Sequence, residues 1–139
     1  MTLHVRDTCL CLHAQRAARV LARRFDRALR PVGLTNGQFS LLMSLNRPGR
    51  VRMRDVADLL GMDRTTLTAA LKPLNVGGLV ATSSDPDDRR GRLLALTDSG
   101  RRRLAEAMPA WTMTQRAVEA ELEDADRIRR DLTRLAGVK

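Results

Sequence analysis

The chain has 139 residues, which is enough for one domain with a sizeable core. Its only aromatic residues are Phe25, Phe39 and Trp111, so the core must consist of Leu, Val, Ala and Met, a composition that suits helices. No uncharged apolar run reaches the roughly 18 residues that a membrane-spanning helix needs. Arg6 and Asp7 precede only a short apolar patch, so the N-terminus does not resemble a signal peptide. We therefore expect a cytoplasmic location, no membrane contact and no disulfides by default.

The net charge of +9 favours a polyanionic partner. Arg supplies 23 of the 25 basic residues, which codon bias in a GC-rich genome would also produce. The position of the charges is more informative. Residues 1–46 carry 7 basic and 2 acidic residues, residues 47–103 carry 12 and 7, and residues 104–139 carry 6 and 7. The positive excess lies away from the C-terminal part, which codon bias explains less easily.

Long amphipathic helices are predicted at both ends of the chain. The first covers 8–30. The C-terminal part, 98–136, is predicted as two helices: one over 98–122, capped by Thr97 and broken or bent near Pro109, and a last one over 124–136. These helices are too thinly apolar to be covered by a small central core, so we expect them to pack against a second copy of the chain. Their larger apolar residues are Leu10, Leu21, Phe25, Trp111, Ile128, Leu132 and Leu135.

Residues 35–97 carry the pattern of a helix-turn-helix followed by a wing. Thr35 and Gln38 form the T-x-x-Q capping box of a first helix. A second helix is predicted over 53–60 and ends at a glycine. Asp63 is a good N-cap for the third helix, which would be the recognition helix that enters the major groove of DNA.

The outward face of this recognition helix carries side chains suited to DNA. With its leucines pointing inward, hydroxyl and basic groups face outward. Threonine hydroxyls can bond bases or phosphates, and an arginine can pair with guanine. The alternative is an ordinary amphipathic helix with a polar solvent face. The outward residues are Arg64, Thr65, Thr66, Thr68, Ala69 and Lys72.

The wing is predicted as a strand over 79–82, a loop over 85–91 and a return strand over 92–96. The loop DPDDRRGR brings three arginines together, so an acid can hold one of them by a bidentate bond while another reaches outward. A narrow A·T-rich minor groove attracts such an arginine. The alternative is a solvated turn with local charge pairs. The tip residues concerned are Asp87, Asp88, Arg89 and Arg90.

These segments together resemble one known family. The stretches GLTNGQFSLLMSL, DVADLLGMDRTTLTAALKPLNVGGLV and DPDDRRGRLLALTDSGR look like the MarR family of dimeric winged-helix regulators, over about residues 8–136. The most specific part is D-x-R in the wing, followed by LT and a glycine. Its residues are Asp88, Arg90, Leu96, Thr97 and Gly100.

The resemblance implies a fold and roles for residues. The fold would be mainly α with a small β-hairpin wing, a single domain over 1–139 whose terminal helices form an intertwined dimer. Arg90 would be the minor-groove arginine and Asp88 its positioning partner. Two residues depart from the family pattern: Arg52 stands where a Ser or Thr N-cap is usual, and Pro73 lies inside the recognition helix.

Cys9 and Cys11 near the start of the first helix have two interpretations. They are either small core residues or a redox switch. Counting back from Thr35, Cys11 is similar to the sensing cysteine of the organic-hydroperoxide-sensing branch of the family. Where that branch has tyrosines, this chain has Gln15 and Phe25. In a regular helix positions 9 and 11 point about 200° apart, so a disulfide between them would unwind the first turn.

The sequence therefore predicts a homodimeric regulator, a repressor, that binds a pseudo-palindromic site in double-stranded DNA. Release follows cysteine oxidation or, as the resemblance implies, a small apolar or phenolic ligand between the dimer helices and the winged domain. The alternative is a winged-helix protein-interaction module that does not bind DNA. An enzyme is disfavoured, because phosphate loop, nucleophile elbow and paired carboxylates are lacking. No cofactor or metal is indicated, since His4, His13 and the cysteines lack zinc-site spacing.

Overall fold

A computed structural model describes residues 2–137. The fold is mainly helical with a small antiparallel sheet, which confirms the predicted fold class. The elements in chain order are α1 (Thr2–Thr8), α2 (Leu10–Leu29), a 3-10 turn (Arg30–Val32), α3 (Asn36–Ser44), β1 (Val51–Arg52), α4 (Met53–Leu60), α5 (Arg64–Val76), β2 (Val80–Asp85), β3 (Asp88–Leu96), α6 (Asp98–Ala120) and α7 (Ala125–Leu135).

The three strands lie in the order β1-β3-β2, and both pairs are antiparallel. Val51 of β1 lies opposite Leu94 of β3, and Val80 of β2 lies opposite Leu96. Strand β1 was not predicted, because two residues are too short for a periodic pattern. This strand attaches the wing to the start of α4, so the wing is fixed to the helix-turn-helix along one edge.

The helix starts in the central region follow the predicted caps. The Thr35 hydroxyl accepts from the Gln38 N–H, and the Gln38 side chain accepts from the Thr35 N–H, which confirms the capping box. Asp63 caps α5 and Thr97 caps α6 through their side-chain oxygens. Gly61 ends α4 in the left-handed conformation with φ 65°, which glycine adopts without steric cost.

The core lies where α3, α5 and the inner face of the sheet meet α2 and α6. Leucines dominate it, and those with almost no exposed surface are Leu29, Leu41, Leu42, Leu45, Leu67, Leu74 and Leu94. Phe25 and Trp111 also pack against this cluster. The expectation that these two side chains lack partners in the winged core was therefore wrong. Both residues lie on long helices but point toward the core.

The N-terminal helix differs from the prediction. A separate helix, α1, precedes it, and Cys9 separates the two helices, because its backbone is extended, with φ −69° and ψ 107°. The helix that was predicted over 8–30 therefore begins at Leu10 in the structure, two residues later than predicted, and its α-helical part ends at Leu29. Cys9 and Cys11 were expected to lie in one regular helix, and this expectation was wrong for the same reason.

The C-terminal helices keep their predicted places, and α6 continues through Pro109 without a break. Asp124 caps α7 by accepting from the Arg127 N–H. Several apolar side chains of the terminal helices lie on the surface of the protomer, which the described residues leave uncovered; these are Leu10, Leu12, Leu21, Ile128, Leu132 and Leu135. Within residues 2–137 no helix is long and apolar enough to cross a membrane.

The first turn of α6 is joined closely to the chain that follows α5. The Thr97 N–H donates to the Leu79 carbonyl at 3.1 Å, and the Thr97 hydroxyl donates to the Gly78 carbonyl at 2.6 Å. Gly100 packs directly on Leu79, where an added Cβ would overlap the carbonyl oxygen. This close approach is the physical reason for glycine at position 100.

Candidate DNA interface

Helix α5 presents one polar face to solvent and buries the other. Leu67, Leu71 and Leu74 lie in the core, with exposures of 2% or less. The predicted DNA-binding residues of this helix are all exposed, and they lie on the opposite side: Arg64, Thr65, Thr66, Thr68 and Lys72. Pro73 is accommodated inside the helix, which continues to Val76.

The start of α5 is fixed by a charged cap. The Asp63 carboxylate accepts from the Thr66 N–H at 2.7 Å, and this hydrogen bond lowers the pKa of Asp63 from its ordinary value. The ionised carboxylate also lies at the positive end of the helix dipole. The cap therefore fixes the first turn of α5, in which Thr65 is exposed.

The hydroxyl of Thr68 is already committed within the helix. It donates to the Arg64 carbonyl at 2.8 Å. Its hydrogen is therefore used, and what remains outward is a methyl group and the oxygen lone pairs. Such a side chain suits a thymine methyl or a base amino group better than a phosphate, which needs a donor.

The wing tip is tighter than predicted. Asp85 and Asp88 pair across the strands, so only Pro86 and Asp87 form the turn, and the expected loop over 85–91 was wrong. The alternating pattern of the strands is lost in this polar stretch, so periodicity could not find their ends. As a result, the predicted tip residues Asp88, Arg89 and Arg90 lie at the start of β3 and are all exposed.

The acids of the wing hold backbone rather than the expected arginines. Asp85 is buried, accepts from the Asp87 N–H at 2.9 Å and pairs with Arg52 at 3.5 Å. Asp88 accepts from the Arg90 N–H at 3.0 Å. Within residues 2–137 neither Asp87 nor Asp88 forms the ion pair with a wing arginine that the sequence suggested. The guanidinium groups at the tip are therefore left for an outside partner.

Arg52 explains one departure from the family pattern. It occupies the N-cap position of α4 and makes no side-chain cap there. Its guanidinium instead lies beside the buried Asp85 carboxylate of the wing. Arg52 therefore does not cap α4 with its side chain but links β1 to β2.

A contact that sequence reasoning missed joins the recognition helix to the wing. The Arg64 guanidinium donates to the Arg90 carbonyl at 2.5 Å. The two residues lie 26 positions apart, so no local pattern could reveal the contact. A cleft of about 550 Å³ lies beside it, between α4 and the wing; its lining includes Arg52, Met53, Ala57, Met62, Arg64, Asp85 and Gly91.

Comparison with known proteins agrees with this geometry. The M. tuberculosis transcriptional regulator MosR, solved in complex with DNA, is 40% identical over 93% of this chain and 94% of its own, with a TM-score of 0.85. A profile of the MarR family matches residues 32–91. The chain belongs to the MarR family. The matched segment spans the helix-turn-helix and the wing up to Gly91.

Three further transcriptional regulators show how broad the likeness is. The transcriptional repressor CouR, solved bound to a 23-mer DNA duplex, is 30% identical over 96% of this chain and 94% of its own, with a TM-score of 0.76. A CouR chain from Rhodococcus jostii RHA1, solved bound to p-coumaroyl-CoA, is 25% identical over 96% of this chain and 95% of its own, with a TM-score of 0.81. The HTH-type regulator YwoH of Bacillus subtilis is 25% identical over 111 residues, 80% of each chain.

The cysteines of this MarR-family chain lie at the junction of α1 and α2. Cys9 is half-buried and caps α2, because its thiol sulfur accepts from the Leu12 N–H at 3.5 Å. Cys11 is exposed, and the Gln15 side-chain amide donates to its sulfur at 3.2 Å. Gln15 thus supplies a hydrogen bond to the thiol.

An apolar groove of about 400 Å³ lies between α3, α4 and α6. Phe39 and Trp111 stack at one side of it, with ring centroids 6.0 Å apart. The remaining lining is aliphatic or hydroxyl: Ser40, Met43, Ser44, Leu59, Leu60 and Met108. The described residues also include no cluster of three or more His, Cys, Asp or Glu side chains that could hold a metal ion.

Proposed function

We propose that the protein is a homodimeric transcriptional repressor that binds a pseudo-palindromic operator. Each protomer would place α5 in the major groove, with Thr65, Thr66, Thr68 and Lys72 toward bases and phosphates. The wing would lie over the adjacent minor groove, with Arg90 inserted and Arg89 near the backbone. The dimer would be formed by the terminal helices, whose exposed leucines need a cover.

One observation carries this proposal: an exposed hydroxyl-rich face of α5 stands beside a wing tip whose arginines are not neutralised by the wing acids. A protein-interaction module would have no need for unpaired guanidinium groups at that place. The DNA-bound structures of MosR and CouR support the same reading. A regulator of this kind acts at the chromosome, so we place it in the cytoplasm and not among enzymes.

Selection from a library of random duplexes tests the proposal. We expect an inverted repeat with half-sites about one DNA turn apart to be enriched. Affinity for the selected duplex, measured by fluorescence anisotropy, should fall steeply with salt, by about 0.9 in slope for each phosphate contacted. Absence of an enriched motif together with a slope near zero would refute DNA binding and leave the protein-interaction alternative.

We propose cysteine oxidation as one control of repression. Cys9 lies outside the regular helix, so helical geometry does not hold its side chain about 200° around the helix axis from that of Cys11. In the step, a peroxide takes two electrons and two protons from the two thiols; one S–S bond forms, the O–O bond breaks, and the products are two waters from hydrogen peroxide or one alcohol and one water from an organic hydroperoxide. The bond would remove the Cys9 cap of α2 and thereby disturb a dimer helix.

A small apolar or phenolic ligand in the groove of Phe39 and Trp111 is the second control we propose. The rings offer stacking surface, and the Ser40 hydroxyl offers a polar contact. Trp111 is the only tryptophan of the chain, so its fluorescence reports occupancy directly. Titration with neutral phenols should change this fluorescence and lower operator affinity together; a fluorescence change with unaltered affinity would refute the regulatory role.

A further inference from the structure

The Arg90 peptide of the wing is not held by the sheet. The register of β2 and β3 passes from the pair Ser84–Arg92 directly to the pair Asp85–Asp88, so the three residues between Asp88 and Arg92 bulge out of the ladder. A bulge leaves its extra residues without cross-strand partners and aims their side chains differently. The direction of the Arg90 side chain therefore depends on other contacts.

Two side chains supply these contacts, one to the backbone N–H of Arg90 and one to its carbonyl. The Arg90 N–H donates to the Asp88 carboxylate at 3.0 Å, and the Arg90 carbonyl accepts from the Arg64 guanidinium at 2.5 Å. The first contact is local to the wing, whereas the second comes from the first residue of α5. Asn75 near the other end of α5 also meets the wing, since it accepts from the Thr82 hydroxyl at 2.9 Å, but that contact lies at the base of β2 and not at the bulge.

Gly91 makes the bulge compact. A Cβ at this position would lie 3.2 Å from the Asp85 Cβ and 3.2 Å from an Asp88 carboxylate oxygen. The backbone after Arg90 therefore packs closely on the two acids that shape the turn. Together, the acids fix the base of the bulge, and the Arg64 guanidinium fixes its outer side.

We propose that Arg64 is a positioning residue of the wing: its guanidinium holds the Arg90 carbonyl and thereby aims Arg90 into the minor groove, rather than reading a base itself. The inference rests on the proposed function, because it assigns Arg90 to DNA. An arginine whose guanidinium donates to a wing carbonyl is held in one conformation by that bond and is less free to reach a base edge. It also ties the major-groove and minor-groove elements into one unit.

Operator duplexes that differ only beside the half-sites distinguish positioning from base reading. One duplex carries A·T-rich flanks under the wing and the other carries G·C-rich flanks, since an inserted arginine favours the narrow A·T-rich groove. We expect Arg64→Ala to weaken binding at least about fivefold on the A·T-rich duplex, the low end for one readout contact. It should abolish most of the flank preference, as Arg90→Ala does.

The double mutant Arg64→Ala/Arg90→Ala gives the coupling. If Arg64 acts through Arg90, adding Arg64→Ala to Arg90→Ala changes the Kd less than about twofold. Two results would show that Arg64 reads a base. One is a double mutant whose change in Kd equals the product of the two single changes. The other is an Arg64→Ala variant that keeps the flank preference but loses discrimination at a G·C pair inside the half-site. Arg54→Ala is the control: it removes the same charge from the exposed first turn of α4 and should weaken both duplexes equally.

A measurement without DNA keeps this inference separate from the proposed function. Exchange of the amide hydrogens of residues 87–91 in the free protein should be faster in Arg64→Ala and unchanged in Arg54→Ala, while the Tm of both variants stays near that of the wild type. Unchanged exchange in Arg64→Ala would overturn the wing contact even if DNA binding is established. Failure of the wild type to bind any duplex would instead refute the proposed function.

Discussion

Phe39 and Trp111 stack with nearly parallel rings, 18° apart, and join α3 of the winged core to α6. Phe39 is buried, with 6% of its surface exposed, and Trp111 packs over it at the edge of the apolar groove. The pair is therefore both a core contact and a wall of the groove. Its loss would change stability and groove shape at the same time.

Phe39→Ala should lower the free energy of unfolding by about 3–5 kcal/mol, the range for large aromatic truncations in a core. The substitution leaves a cavity and removes the stacking partner of Trp111. Urea denaturation followed by circular dichroism measures the loss, and Phe39→Leu, which fills more of the space, should lose clearly less. A loss below about 1 kcal/mol for the alanine variant would contradict the described packing.

Gly100→Ala and Gly37→Ala should change stability in opposite directions. An alanine Cβ at position 100 would overlap the Leu79 carbonyl, whereas at position 37 it would meet nothing within 4 Å. We expect Gly100→Ala to cost at least about 1–3 kcal/mol through forced backbone shifts. Gly37→Ala, within α3, should be neutral or stabilise by up to about 1 kcal/mol. Equal Tm values for both variants would show that α6 does not begin against Leu79.

The Asp26 carboxylate makes the fold sensitive to acid. It accepts from the Asn36 N–H at 2.7 Å and from the Asn36 side-chain amide at 2.9 Å, and these hydrogen bonds hold the pKa of Asp26 below its ordinary value of 3.8. Because the folded pKa is the lower one, the ionised group stabilises the fold above about pH 4, and this stabilisation is lost as the pH falls through the folded pKa.

Asp26→Asn should therefore be less stable than the wild type near pH 7, and the two should converge below about pH 4. Urea denaturation at a series of pH values measures the difference. Asp131→Asn, at an exposed position of α7, is the matched control. A difference that grows as the pH falls would have the wrong sign for a carboxylate with a lowered pKa.

Arg90→Ala should weaken binding to the selected operator by roughly 1–3 kcal/mol, the scale of one readout contact. The Tm and the dimer should stay unchanged, because the wing tip lies outside the core. Arg89→Ala, one residue earlier, should lower affinity on all duplexes alike through lost phosphate contact. The roles would be reversed if Arg89→Ala, and not Arg90→Ala, removed the preference for A·T-rich flanks.

Mild peroxide should lower operator affinity of the wild type, and a dithiol reductant should restore it. Cys11→Ser should abolish the response, and Cys9→Ser should at least alter its reversibility, since the remaining thiol has no nearby partner within the protomer to form a disulfide. Anisotropy titrations before and after peroxide measure this. If the double serine variant responds as the wild type does, oxidation acts elsewhere and the ligand control is the better account.

Local chemistry made the central helices predictable. The capping box at Thr35, the Asp63 and Thr97 caps and the glycine turn at Gly61 each depend on residues within three positions, so the sequence shows them directly. The faces of α5 followed from its leucine spacing. The same signals placed the recognition helix before any tertiary contact was known.

The features that could not be predicted from the sequence depend on contacts between residues far apart in the chain or leave no mark in its apolar pattern. The apolar spacing of the first helix continues across Cys9, so nothing in it marks the break. Trp111 lies on a thinly apolar helix, and only the tertiary fold shows that it packs on Phe39. The Arg64–Arg90 contact likewise depends on how the wing folds back toward α5, which the predicted loop over 85–91 had left undefined.

The joint between Thr97 and the Gly78–Leu79 carbonyls makes α5 and α6 the two arms of a lever. Helix α5 has 13 residues, which gives an arm of about 20 Å at 1.5 Å per residue. A tilt of about 10° in α6 would therefore carry the far end of α5 through roughly 3 Å, the length of a hydrogen bond. A repressor built this way needs no large rearrangement to release its operator. A small change in the tilt of α6 is enough to displace Thr65 and Thr66 from their positions in the groove.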